Sequence, residues 1–166
     1  MEETDNKIAL EKAYELYSGT ILRFIFFKVS DYAAAEDITA QAFVKLWQKM
    51  SRGEEIRNER ALLYTIARGL VVDHYRKSQN KNMSLDQIPE SMLPSGENLQ
   101  EIAETKYQSE HILQAMSKLR DEDRDALNMY YIDELSIPEI SAILNKSENA
   151  TRVVIHRALK KLREYV

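Results

Sequence analysis

Cysteine is absent from the 166 residues, which excludes disulfides and thiolate metal sites. No apolar run approaches the roughly 18 residues that a membrane span needs. The opening MEETDNK is polar and acidic where a signal peptide would be basic and then apolar. A cytoplasmic protein without membrane insertion is therefore expected. Glycine is scarce, with four residues, and forms no phosphate-cradling loop. The three histidines, His74, His111 and His156, lack metal-ligand spacing, and no nucleophile motif is present. No enzyme is expected, hence no catalytic residue, metal or cofactor.

Charge is present in quantity and unevenly placed. The chain carries a net charge of −4, which argues against non-specific nucleic-acid binding by the molecule as a whole. From Asp121 to Glu139, seven acidic residues against Arg124 give −6; from Lys146 to Arg163, six basic residues against Glu148 give +5. Such a run is ordinarily a solvated helix face. Here it coincides with a motif.

Ser136-Ile137-Pro138-Glu139 has the spacing of a capping box, with proline early in the helix where its missing N–H costs little. Ile140, Ile143 and Leu144 supply a buried stripe, and Asn145 suits a left-handed helix end. Ser147 caps a second helix reaching about Glu164, with Thr151, Ile155, Ala158 and Leu162 inward and Asn149, Arg152, Val153, His156, Arg157 and Lys160 outward. Two helices joined by so short a turn read as a helix-turn-helix, whose second helix enters a major groove, or as a plain helical hairpin.

Upstream, Leu10, Ala13, Tyr17, Ile21 and Phe24 recur at helical spacing, as do Ile38, Ala42, Leu46 and Met50, then Leu63, Ile66, Ala67 and Leu70. They predict a three-helix domain over residues 1–78. Ser78 to Leu99 holds two of the three prolines and lacks a sustained period, so residues 79–99 read as a flexible linker. At about 3.3 Å per residue the 22-residue stretch spans roughly 70 Å. Helices resume in a second domain, residues 100–166: Ile102 to Leu119, a short one around Arg124 to Tyr131, then the helix-turn-helix. The expected fold is all-α, two small helical domains.

Ala35-Glu36-Asp37 with Gln41, Phe43 and Trp47, then Leu63-Tyr64-Thr65-Ile66-Ala67-Arg68 with Asp73, Tyr75 and Arg76, then Ser147-Glu148 and His156 to Arg163, stand in one order along the chain. Together they resemble the extracytoplasmic-function group of bacterial sigma-70 factors, which keep only conserved regions 2 and 4. Ala42, Gly69 and Ala150-Thr151 depart from the residues usual in that family.

The resemblance implies a transcription initiation factor that binds core RNA polymerase and directs it to promoters, and it implies roles for individual residues. Asp37, Gln41, Lys45 and Gln48, a polar stripe at helical spacing, would dock on the β′ clamp helices; Trp47 is read as core. Arg60, Tyr64, Arg68, Tyr75, Arg76 and Lys77 would meet the minus-10 element, cations on phosphates and rings on unpaired bases. Tyr75 reads equally as a buried ring with its hydroxyl at the surface. Ser147, Asn149, Arg152, Val153, His156, Arg157 and Lys160 would meet the minus-35 element as duplex. The β flap and an anti-sigma factor are further implied partners.

The alternative is a self-sufficient helix-turn-helix regulator acting as a dimer, whose self-complementary apolar face would draw on Phe26 and Phe27 in ILRFIFFKV. Core packing, or a surface covered by an anti-sigma partner, accounts for the same two residues.

Overall fold

A computed structural model describes residues 1–77 and 110–166. The expected linker at 79–99, the expected domain start at residue 100 and the expected helix start at Ile102 lie outside these residues. Two compact units contain the described segments, one within Met1–Gln87 and the other within Ile88–Val166. Every regular element among the described residues is helical.

The first unit consists of α1 (Glu2–Val29), α2 (Tyr32–Ser51) and α3 (Glu59–Lys77). Each boundary has a local cause. Ser30 takes a left-handed conformation (φ 58°) and ends α1, and the Asp31 carboxylate accepts from the Ala34 N–H at 3.2 Å to start α2. Gly53 closes the α2 end at φ 74°, a conformation that costs glycine little. The Asn58 side chain then accepts from the Ala61 N–H at 2.9 Å. Ile21, Phe24, Ile25 and Phe26 pack with Leu46, Leu63, Tyr64 and Val71 among the fully buried side chains. Asn6 bonds the Met50 carbonyl at 3.1 Å and so ties the start of α1 to the end of α2.

Phe26 being wholly buried removes half of the apolar face that a dimer was expected to use. Its ring lies 6.2 Å from both Phe27 and Tyr32, inside the packed end of the unit.

The second unit contains helical residues 110–117 (α4), α5 (Asp121–Leu127), a π turn over Asn128–Ile132, α6 (Ile137–Leu144) and α7 (Glu148–Tyr165). The short helix expected around Arg124 to Tyr131 thus divides: α5 ends at Leu127 and the chain widens. The Asp133 N–H reaches back to the Asn128 carbonyl at 3.0 Å and the Leu135 N–H to the Met129 carbonyl at 2.9 Å. Met129 stays buried while Tyr131 and Ile132 are exposed. Met116, Leu119, Leu127 and Ala158 form a core cluster, covered by Leu159 and Leu162.

Candidate functional site

The helix-turn-helix is built by the signals its sequence carries. Ser136 Oγ accepts from the Glu139 N–H at 3.3 Å, and Glu139 Oε1 accepts from the Ser136 N–H at 3.1 Å, a complete capping box. Asn145 adopts φ 54° and ends α6. Ser147 Oγ accepts from the Ala150 N–H at 3.1 Å, and the Thr151 hydroxyl donates to the Ser147 carbonyl at 2.9 Å. Thr151, Val154, Ile155 and Ala158 of α7 are buried against the rest of the unit. This fixes the helix's rotation and turns Asn149, Arg152, Val153, His156, Arg157 and Lys160 outward, as expected from the pattern. Val153 is 61% exposed, so it is not a packing residue.

The acidic segment that precedes this helix folds against it. Asp123 is wholly buried, yet receives three cations: Arg120 at 3.3 Å, Arg157 at 3.6 Å and Lys161 at 3.6 Å. Glu122 pairs with Lys146 at 3.1 Å, and Arg152 with Glu148 at 3.6 Å. Of the six basic residues from Lys146 to Arg163, Lys160 and Arg163 are in no ion pair among the described residues. Sequence reasoning saw the two opposite charge runs and missed that one partly neutralises the other. The local signal was only Arg120 three residues before Asp123; the remaining partners lie 34 and 38 residues downstream.

In the first unit, Asp37, Gln41, Lys45 and Gln48 are all exposed along α2, opposite buried Ile38, Ala42 and Leu46. Val44, 54% exposed, sits in the middle of this stripe, an apolar residue among polar ones. Beside it lies a groove of roughly 870 Å³ between α1 and α2, mainly apolar through Leu10, Tyr14, Phe43, Val44 and Trp47 and edged by Glu3, Lys7, Glu11 and Glu15. Trp47, expected in the core, is half-buried and lines this groove. Tyr14 meets Phe43 edge-on at 5.0 Å beneath it.

The residues expected at the minus-10 element do not share one environment. Arg76 and Lys77 are exposed, whereas Arg60, Arg68 and Tyr75 are half-buried at the margin of the core. Tyr64 is a correction: it is fully buried with Leu63, Ala67 and Val71, so its ring faces the packed interior. At 100° per residue, Tyr64 falls in line with Ala67 and Val71 at the helical spacings of three and four. Gly69 is exposed with nothing near its missing Cβ.

Two helical units, of which the second is a helix-turn-helix with a cationic outward recognition face, define a DNA-binding protein. Residues 13–81 match the family model described as Sigma-70 region 2, and residues 109–162 that described as Sigma-70, region 4. The chain belongs to the sigma-70 family of RNA polymerase sigma factors, in its extracytoplasmic-function group. It is 27% identical over 158 residues to the ECF RNA polymerase sigma factor BldN of Streptomyces coelicolor, spanning 93% of this chain and 59% of that protein. To the ECF RNA polymerase sigma factor SigM of Bacillus subtilis it is 26% identical over 156 residues, 94% of each chain. Among solved structures, the sigma factor RpoE bound to the anti-sigma factor NepR from Bartonella quintana matches with a TM-score of 0.71 at 19% identity, over 93% of this chain and 94% of that one. CnrH, solved with the cytosolic domain of CnrY, matches with a TM-score of 0.70 at 20% identity, over 98% and 90%. These two establish likeness of fold.

Proposed function

We propose that this sigma factor docks on core RNA polymerase through the α2 stripe of Asp37, Gln41, Lys45 and Gln48 with Val44 at its centre, and brings the enzyme to promoters read at two elements. Its second unit meets the minus-35 duplex with Ser147, Asn149, Arg152, Val153, His156, Arg157 and Lys160. Its first unit meets the minus-10 element with Arg60, Arg68, Tyr75, Arg76 and Lys77, and Tyr64 supports that surface from beneath.

The observation that carries this reading is the outward face of α7. Its N-terminal half offers Asn149, Arg152, Val153 and His156 on a helix whose opposite side is buried, the arrangement a helix needs to enter a major groove. The net charge of −4 keeps the free chain from arbitrary DNA, and core polymerase brings the basic helix to its site. Core polymerase with its β′ clamp helices and β flap, promoter DNA and an anti-sigma factor are the partners, and the cytoplasm is the compartment in which they meet. No described helix is long and apolar enough to cross a membrane.

The test is reconstitution. Core polymerase with the purified chain initiates at promoters that core alone ignores. Binding of duplex promoter DNA by the chain alone, as a dimer and with no effect on core polymerase, would overturn the reading.

A further inference from the structure

We propose that Asp123 is a built-in counter-charge that positions Arg157 and Lys161 of the recognition helix and weakens the contribution of both cations to phosphate binding, sharpening promoter discrimination. The proposal rests on the reading of α7 as the minus-35 helix.

Asp123 sits in the first turn of α5 and is wholly buried, a placement rare for a carboxylate unless it is paired. Arg120 Nε donates to its Oδ2 at 3.3 Å, and the same guanidinium's Nη2 lies 3.5 Å from Oδ1. From α7, Arg157 Nη2 approaches Oδ1 and Lys161 Nζ approaches Oδ2, each at 3.6 Å. The two α7 residues are four apart and so lie on one side of the helix, with both heads drawn to one carboxylate. Each remains about two-fifths exposed, at 45% and 39%, so solvent and a nearby phosphate can reach them.

Removing a partner from a buried charge is costly, so the carboxylate holds its cations against competition from a phosphate. Non-specific DNA affinity grows with each cation that displaces counterions, by about 0.9 in the slope of log affinity against log salt. A cation held by Asp123 adds little to that slope. Lys160, exposed and in no ion pair among the described residues, adds its full share. Base contacts made by Asn149, Val153 and His156 then weigh more in the total. Tethering also sets the direction from which Arg157 approaches the backbone, and phosphate contacts of this kind fix register.

The experiment measures binding of the free chain to random-sequence duplex by fluorescence anisotropy across low salt concentrations. Thermal melting of every variant runs alongside. Asp123→Asn should steepen the salt slope by about one to two and raise non-specific affinity on the order of tenfold at 0.1 M salt. In holoenzyme it should narrow the preference for a matched over a scrambled minus-35 element. A purely structural role predicts lower melting temperature with an unchanged or flatter slope, and that result would overturn the proposal, as would undetectable binding by both forms.

If Asp123→Asn does not fold, Arg157→Gln and Lys160→Gln in the otherwise native chain decide the matter. Lys160→Gln should flatten the slope by about 0.9, and Arg157→Gln by less than half as much. Equal flattening sinks the counter-charge. Failure of the wild-type chain to activate core polymerase would instead sink the family-based reading, and neither random-duplex measurement depends on it.

Discussion

The ring of Tyr64 meets that of Phe24 edge to face, with centroids 5.0 Å apart and planes at 66°. Both side chains are fully buried, and the contact joins α1 to α3 at the centre of the first unit. Tyr64→Ala should therefore cost about 3–5 kcal/mol, the range for deleting a large buried aromatic, read as a lower urea midpoint. Tyr64→Leu keeps much of the volume and should fold. Its base preference at the minus-10 element, profiled over all four bases, should match wild type. An altered preference in the folded Leu variant would return Tyr64 to the DNA surface.

The capping box offers a second, more local test. Ser136→Ala removes the oxygen that accepts from Glu139 and should cost about 1 kcal/mol in denaturant unfolding. Because α6 is short and buries Ile140, Ile143 and Leu144 in the second unit, loss of the cap should be felt in that unit's stability. A cost below about 0.5 kcal/mol, the scale of an exposed surface change, would mean packing alone holds the α6 start.

The helix-turn-helix was legible because its signals are local. Ser136 and Glu139 are three residues apart, and Asn145 and Ser147 mark the turn by their own conformational preferences. Periodicity likewise placed Val153 outward and Ile155 inward. Tyr64 at the minus-10 element follows from the family resemblance and not from periodicity: its helical spacing with Ala67 and Val71 puts it on the buried face of α3. Asp123 and the α1–α2 groove were illegible. An ion pair between residues 34 and 38 apart, or a cleft formed by Tyr14 with Trp47, exists only once the helices pack. The difference lies in sequence separation rather than in the strength of any one signal.

Gly69 stands exposed in the middle of α3, and a methyl group there would meet nothing within 4 Å. Gly69→Ala should stabilise the first unit by up to about 1 kcal/mol, since glycine is less favourable than alanine by that amount in a helix interior. Calorimetry should record the gain as a higher melting temperature. No gain would place the benefit of glycine at this position in the polymerase or DNA complex.

Asp37 and Gln41 are exposed, so changing them should separate docking from folding. Asp37→Ala and Gln41→Ala are each expected to lower affinity for core polymerase several-fold, while melting stays within the roughly 0.5 kcal/mol band of surface substitutions. Val44→Ala should weaken assembly similarly through lost apolar contact. Competition with unlabelled wild-type chain for core enzyme gives the measurement. Unchanged affinity in all three would remove α2 from the docking surface.

Val153 is the sharpest probe of base reading. It is 61% exposed on α7, between Asn149 and His156 on the outward face, while its neighbour Val154 is buried. An exposed valine on a groove-facing helix can meet the thymine methyl, the apolar group displayed in the major groove. Val153→Ser replaces that contact with a hydroxyl and should relax selection at a single minus-35 base pair by about 1 kcal/mol, near the value of one small apolar group. Thermal stability should stay unchanged, because little of the side chain is packed. The comparison is with Lys160→Gln, which removes a phosphate cation and should weaken all promoters together and flatten the salt dependence by about one. Promoter strength measured over all four bases at each minus-35 position separates the two patterns. A uniform loss with Val153→Ser would show that this face positions the helix without reading the base.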